Sequence, residues 1–329
     1  MKVTCLVPAK NEPLEAIRKP LESALRQKGV SIDKVILAAG TREDQRRFEE
    51  EFGDDPNVEV VYADGRVKGE TVNNAVRSCR LKDGKVLLID AGDELGSEDY
   101  LSELLSSGSR LAFGRITYKG ENTVGFLVGL QFDVICDGIP VWGKLVGSAP
   151  IFTTGLLVDA EFLFEEGLPE NLAEDVTLGI SRKWKELDVD YVDDVKVIME
   201  DPPDLPTNFL QQSRWWAGFY QATLEALKSR NPPGVAYATF VIGSMLASIL
   251  TTYILPLILS PWTILISLFG RLIYSVLAAR HAARRRGKAW ALASVPLSFA
   301  WTFVSEMAAV NGAVWLLTRG TEWYKTDRG

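Results

Sequence analysis

The sequence predicts an α/β domain on a mostly parallel sheet, followed by an amphipathic interface helix and then transmembrane helices. Three observations predict it. Through the first hundred residues, short apolar runs alternate with amphipathic helical patterns, as in parallel strands joined by crossover helices. Charge divides along the chain: residues 1–230 hold 27 Lys/Arg against 40 Asp/Glu, about −13, whereas residues 231–329 hold nine against three, about +6. The basic part contains uncharged stretches long enough to cross the roughly 30 Å of a hydrocarbon core.

Residues 3–7 read as a first buried strand. This apolar run is too short for a signal peptide or a span, so the domain is expected to start in the cytosol. A helix over 14–27, a strand over 34–38, a charged helix over 41–52 and a strand over 58–62 follow. Next come a helix over 70–79, a very apolar strand over 86–89 and a helix over 97–105. Open sheets of this kind bind ligands beyond the carboxyl ends of their strands, so the residues just after each strand carry the most functional weight. From about 110 to 200 the pattern is less regular. Glycines and β-rich runs at 111–118 and 191–199 predict added strands and loops around a cleft.

Residues 209–228 place Trp215, Trp216, Phe219, Tyr220, Leu224 and Leu227 among polar residues. That spacing suits a helix on a membrane surface or one in a core, and the neighbouring spans favour the surface. Asn231-Pro232-Pro233-Gly234 breaks the helix. Residues 236–259 then run without a charge, and 262–279 form a second stretch interrupted only by Arg271, giving a hairpin turned at Ser260-Pro261. The basic loop Arg280, Arg284, Arg285, Arg286 and Lys288 is a cytoplasmic signal that agrees with a cytosolic front after two crossings. Residues 289–317 form a third apolar stretch, spanning or re-entrant, containing Pro296 and Glu306; a carboxylate at that depth is costly unless paired. The expected division is a catalytic domain over 1–207, an interface helix over 208–230, a membrane region of two or three helices over 231–318 and a tail over 319–329. The expected location is the cell membrane, multi-pass, with the catalytic domain cytoplasmic.

Composition excludes several function classes. The acidic front lacks the basic face that nucleic-acid binding requires. Cys5, Cys79 and Cys136 are scattered and odd in number, which fits small buried residues better than a disulfide frame or a zinc site. His281, in the basic loop, is the single histidine, so a His-based triad or a multi-His metal site is excluded by counting.

Four features could carry chemistry. Pro8-Ala9-Lys10-Asn11-Glu12 follows the first strand at the rim where a nucleotide would dock. Lys68, five residues before Asn73, opens a helix whose free N–H groups could face phosphates, although a lysine there is usually solvated. The strand over 86–89 delivers Asp90-Ala91-Gly92-Asp93 on a tight turn. Its carboxylates suit Mg2+ or Mn2+ bound with a diphosphate, or simply cap a turn. Glu174-Asp175 offers a general base or a helix start, and Gln211, Arg214 and Trp215 offer diphosphate and sugar contacts on one helix or a membrane-interface pair.

Taken in order, these residues resemble the family-2 glycosyltransferases of the cellulose, chitin and hyaluronan synthase-like branch. That branch carries a PxxNE-type opening, a K-x4-N element, a D-x-D metal motif, an E-D pair and Q-x-x-R-W ahead of membrane helices. The resemblance covers residues 3–220, and Trp323-Tyr324-Lys325-Thr326-Asp327-Arg328 resembles a W-x-K-T-x-R ending of related enzymes. It implies a GT-A fold and an inverting transfer of sugar from a nucleotide-diphosphate sugar, with Mg2+ or Mn2+ as cofactor. It also implies Asp175 as base with Glu174 beside it, and Pro8, Ala9, Asn11, Glu12, Lys68, Asn73, Asp90 and Arg214 toward the donor. Gln211, Arg214 and Trp215 would lie toward the acceptor and diphosphate, and Asp90 with Asp93 on the metal. The sequence departs from the pattern twice. Ala38-Ala39-Gly40 stands where Asp-Asp-Gly is usual, and Gly92 stands at the second Asp of the metal motif, with Asp93 one residue beyond.

Few spans follow the domain and none precedes it, so transfer to a lipid or lipid-linked acceptor is expected over processive polysaccharide synthesis. Leu37-Ala38-Ala39-Gly40-Thr41-Arg42 also resembles the opening of sugar-nucleotide nucleotidyltransferases, but after the second strand rather than the first. A non-catalytic membrane protein on a transferase scaffold is the third reading.

Overall fold

The computed structural model describes residues 2–319. The elements are β1 (Val3–Ala9), α1 (Leu14–Leu25), β2 (Lys34–Ala39), α2 (Arg42–Phe52), β3 (Val58–Tyr62), α3 (Lys68–Ser78), β4 (Lys85–Leu88), β5 (Glu94–Leu95), α4 (Tyr100–Ser106) and β6 (Leu111–Tyr118). Next come α5 (Thr123–Pro140) with a π-helical turn Val141–Val146, β7 (Leu156–Asp159), α6 (Ala160–Glu165), α7 (Glu174–Ser181), α8 (Trp184–Leu187) and β8 (Val189–Met199). The apolar end of the chain folds as α9 (Leu205–Lys228), α10 (Pro232–Ile249), a π turn Leu250–Ile254, α11 (Leu255–Ile258), α12 (Ile264–Arg286) and α13 (Lys288–Arg319). The Trp323–Arg328 motif lies outside the described residues.

One eight-stranded sheet runs β3-β2-β1-β4-β7-β6-β8-β5. Its first four strands are parallel, β6 and β8 are parallel, and β7 and β5 run antiparallel to their neighbours. β1 is buried at every position and β2 at all but Lys34, as the continuous apolar runs require of strands covered on both faces. From β1 the chain steps outward to β2 and β3, then returns to the other side of β1 as β4. That reversal opens a crevice between the carboxyl ends of β1 and β4, at Pro8 and Asp90. At the far half of the sheet Phe113 packs against Tyr191, Trp184 and Phe152 with ring centroids 5.2, 5.8 and 5.9 Å apart. Each such pair contributes about 0.5–1.5 kcal/mol beyond area burial.

Two segments differ from the sequence reading. The region expected to hold loops contains α5, an 18-residue helix. Phe126, Leu130, Phe132, Cys136 and Ile139 are buried along it. The arginines expected in a basic loop instead form the last turns of α12. There His281 is buried against Asp137, 3.0 Å away. Arg285 Nε donates to Asp133 at 2.7 Å, and its guanidinium also reaches Tyr118 O and Thr117; Arg286 reaches Gly120 O. These cations are bonded to the α/β domain.

Four helical segments are long and apolar enough to cross a membrane: Thr123–Val146, Pro232–Ile258, Pro261–Arg286 and Lys288–Thr318. Half of the most apolar window of the first is buried inside the fold, against 6% of the second. The chain leaves the α/β domain at Asn231, whose Nδ2 donates to Ile180 O at 2.8 Å, and rejoins it at Arg285, so α10, α11 and α12 form an out-and-back hairpin. Gly287, at φ +91°, turns the chain into α13, which packs antiparallel on α12. Between them Arg271 and Glu306 form a buried ion pair, joined by Ser248, Thr252, Ser267 and Thr302. Glu306 is therefore paired, as an apolar environment requires.

Candidate active site

A cleft of about 380 Å3 opens over the β1–β4 crevice. Its floor carries Pro8, Lys10, Glu12, Lys68 and Asp90; its far wall carries Glu174, Asp175, Gln211, Gln212, Arg214 and Trp215. Residues separated by up to two hundred positions thus converge.

The centre is an ionic cluster. α3 begins two residues earlier than its pattern predicts, so Lys68 stands at its first position. The Lys68 ammonium lies 2.6 and 2.8 Å from the two Asp90 oxygens, 3.1 Å from Glu174 Oε1 and 2.7 Å from Thr153 Oγ1. Thr153 in turn donates to Glu174 Oε1 at 2.9 Å. Burial opposes the charge on Lys68, but Asp90 and Glu174 outweigh it and hold its pKa above the usual lysine range. Close approach of α3 to the loop before α7 depends on Gly69, because a Cβ there would meet Pro169 O at 2.2 Å.

Asp175 differs from its neighbours. Burial, then repulsion from Glu174, pushes its carboxyl up to about 7, against the pull of Lys68. One Asp175 oxygen accepts from Val176 N at 2.7 Å, which fixes the group at the start of α7. A carboxyl with a pKa near the working pH is what general-base chemistry requires.

The loop carrying this pair is held from both sides. Asn73 donates to Leu168 O at 2.9 Å and accepts from Leu168 N at 2.7 Å, and it is 3% exposed. It does not line the cleft. Asn73 fastens the loop. On the other side Gln221 of α9 accepts from Leu172 N at 3.2 Å, and Gly218 lets α9 approach Ala173, whose Cβ would lie 2.5 Å from an added one.

The remaining expected residues separate. Pro8 and Glu12 line the cleft, whereas Ala9 is a buried strand residue. Asn11 sits in a left-handed turn at φ +55° with its N–H on Asp44, and it is exposed. Ala38 and Ala39 are fully buried at the end of β2 and present no polar side chain to the crevice.

The two carboxylates of the expected metal pair point in different directions. The turn Asp90–Asp93 closes through Asp93 N on Asp90 O at 3.2 Å, with Gly92 at φ +87°. That geometry sends Asp93 inward, 1% exposed, where it accepts from Thr154 Oγ1 at 2.8 Å. Asp90 alone of the two faces the cleft, and its carboxylate is engaged by Lys68. Among the described residues no three His, Cys, Asp or Glu side chains are grouped as metal ligands. The described residues thus offer no cage of protein ligands for a divalent cation, and of the expected pair only Asp90 reaches the cleft.

Beyond the ionic centre the wall turns aromatic. Trp215 meets Phe132 of α5 edge-on at 5.5 Å. Trp216 contacts Phe219 at 5.7 Å, and Phe219 contacts Tyr237 of α10 at 6.2 Å. Tyr237 and Val241 line the same cleft, so it runs from the strand ends to the first apolar helix. Here α9 is packed between α7 and α13 and carries nine buried residues, with Leu205, Leu210, Leu224 and Leu227 left exposed.

Sequence reasoning missed Thr153, Thr154 and Gln212. The tandem threonines ahead of β7 bridge Lys68 to Glu174 and the Asp90 N–H to Asp93. Gln212 lines the cleft at 1% exposure, with neither amide atom hydrogen-bonded among the described residues. The doubled glutamine was its one signal.

No protein-family model and no curated protein matches the chain in sequence. Solved structures do match its fold. The mannosyltransferase PcManGT from Pyrobaculum calidifontis, in complex with GDP-Man and Mn2+, is similar over 97% of this chain and 87% of its own, with 18% identity and a TM-score of 0.56. S. aureus TarS residues 1–349, in complex with UDP-GlcNAc, aligns over 99% of this chain and 94% of its own at 12% identity and a TM-score of 0.48, too distant to inform residue placement. The first likeness establishes a fold shared with a glycosyltransferase.

Proposed function

We propose that this protein is an inverting glycosyltransferase of the family-2 type, moving a sugar from a nucleotide-diphosphate sugar to a lipid or lipid-linked hydroxyl at the cytoplasmic face of a membrane. One observation carries the reading: a single cleft joins the Lys68–Asp90–Glu174–Asp175 centre to an aromatic wall that continues onto α10, the least buried of the apolar helices. A polar donor and an apolar acceptor can meet there. PcManGT, of the same fold, is described with a nucleotide sugar bound, which supports the donor class.

In this reading the donor's diphosphate lies over the β1–β4 crevice, near Lys10, Lys68 and Arg214. The acceptor enters from the Trp215–Tyr237 side. The Asp175 carboxylate takes the acceptor hydroxyl proton while the hydroxyl oxygen bonds to the anomeric carbon from the face opposite the leaving group. The anomeric C–O bond breaks, and the nucleoside diphosphate departs with the electron pair, its charge met by the cations on the floor. Glu174, held by Thr153 and Lys68, positions the loop that carries Asp175.

The test uses membranes containing the full chain, incubated with radiolabelled GDP-mannose or UDP-GlcNAc, with wild type set against Asp175→Asn. The expected result is an organic-extractable labelled product from wild type alone. Label found only in very large or water-soluble product would refute the lipid acceptor. Equal activity in both proteins would refute the role of Asp175.

A further inference from the structure

We propose that Lys68 is the resident counter-cation of the diphosphate site, so that nucleotide binding here needs no divalent metal. The inference rests on the glycosyltransferase reading for the identity of the ligand, but its geometry stands on its own.

A metal-assisted site places a divalent ion between carboxylates and the diphosphate, where it offsets charge on the leaving group. Three features of this chain remove the protein's half of such a site. Gly92 stands at the motif position where a second carboxylate would face the cleft. Asp93, the nearest substitute, points inward and is held by Thr154. Asp90, the carboxylate that remains, has both oxygens within 2.8 Å of the Lys68 ammonium. The carboxylate that a metal would need is already held by an ammonium that belongs to the chain.

The ammonium is also built to stay charged in that position. Its side chain is 15% exposed, and Asp90, Glu174 and Thr153 surround it. Asp90, Thr153 and Glu174 Oε1 at 3.1 Å face its three N–H donors, so a phosphate oxygen would meet the ammonium by replacing one of them. A single positive charge offsets less than a divalent ion does. Lys10 and Arg214 line the same cleft and add positive charge to it.

The test is a titration of the full-length protein in detergent with GDP and with UDP, followed by calorimetry, in EDTA and then in Mn2+. For wild type the expected dissociation constant changes less than twofold between the two conditions. Lys68→Gln is expected to weaken binding at least tenfold in EDTA and to recover in part with Mn2+. Lys68→Arg, which keeps the charge, is expected to bind without metal. Wild-type binding that weakens tenfold or more in EDTA and returns with Mn2+ overturns the proposal and leaves the glycosyltransferase reading intact. If neither nucleotide binds in any condition, that reading fails, and the diphosphate part of this inference fails with it. A separate readout needs no nucleotide. Mn2+ titrated into the protein alone and followed by electron paramagnetic resonance is expected to stay free with wild type; stoichiometric binding would overturn the occupancy of the site by Lys68.

Discussion

Arg271 Nη2 lies 2.7 Å from both carboxylate oxygens of Glu306, with the two side chains 2% and 3% exposed. The pair joins α12 to α13, and hydroxyls from α10 and its π turn complete the network. Removing one member leaves an uncompensated charge, which in a buried setting costs about 3–5 kcal/mol. Arg271→Met and Glu306→Met should each lower the thermal midpoint in detergent sharply. The double variant Arg271→Met/Glu306→Met should be less destabilised than the sum of the two. Strict additivity in that cycle would show that the two groups do not act as a pair.

If Asp175 is the base, as proposed, it sets the pH dependence. With its carboxyl near 7, transfer should rise as pH passes through about 7 and then level off. The stability sign runs the other way. The folded state holds this proton more tightly than the unfolded chain, whose carboxyl titrates near its ordinary value. The group's contribution is therefore full below about pH 4 and is lost as pH rises to about 7. Asp175→Asn should remove transfer yet raise the melting temperature at pH 8 more than at pH 4. A flat difference across that range would contradict the assignment.

Gln212 offers a separable test of recognition. A buried amide without partners costs about 1–3 kcal/mol, and a bound sugar or diphosphate could satisfy it. Gln212→Leu should leave the ligand-free protein as stable as wild type or more so, while raising the donor or acceptor KM about tenfold, the scale of one lost hydrogen bond. Unchanged kinetics would mark the residue as part of the packing.

Asn73 separates structure from binding. Its bonds to the Leu168 backbone are buried, so Asn73→Ala should cost about 1–3 kcal/mol, seen as a lower urea midpoint. The donor KM of the folded fraction should stay within about twofold of wild type. A large KM increase at unchanged stability would restore the donor-binding role expected from the K-x4-N element.

Much of the first half of the fold was legible because strands buried on both faces leave continuous apolar runs. β3 and β6 occupy the residues their composition predicts, and β1, β2 and β4 differ by one or two at an end. α5 was not legible, since its glycines and its alternation with β-rich runs mask a helix whose burial comes from the sheet beneath it. The last turns of α12 were misread for a related reason. A cluster of arginines looks like a solvated loop until Asp133, Asp137 and the carbonyls of Tyr118 and Gly120 are brought to it by tertiary folding. Lys68, Asp90, Glu174, Asp175, Arg214 and Trp215, singled out by their order along the chain, all line one cleft. The direction in which Asp93 points depends on Gly92 and Thr154 together, and no linear pattern encodes that.

α13 remains in contact with α5 and α9 along most of its length. Trp290 packs on Phe126, Trp301 donates to Gln131, Asn311 donates to Ser213, and Gly312 nests against Trp216. At 1.5 Å per residue, the stretch from Trp290 to Gly312 spans about 33 Å. The last helix is thus braced against α5 and α9 rather than a detachable tether. A fragment ending at residue 230 would bare the α9 surface on which Gly312 and Trp315 sit and would lose the arginines that close over α5. Shortening the chain to obtain a soluble enzyme should therefore yield an aggregating one. Mutations far down the apolar end should register in the catalytic cleft.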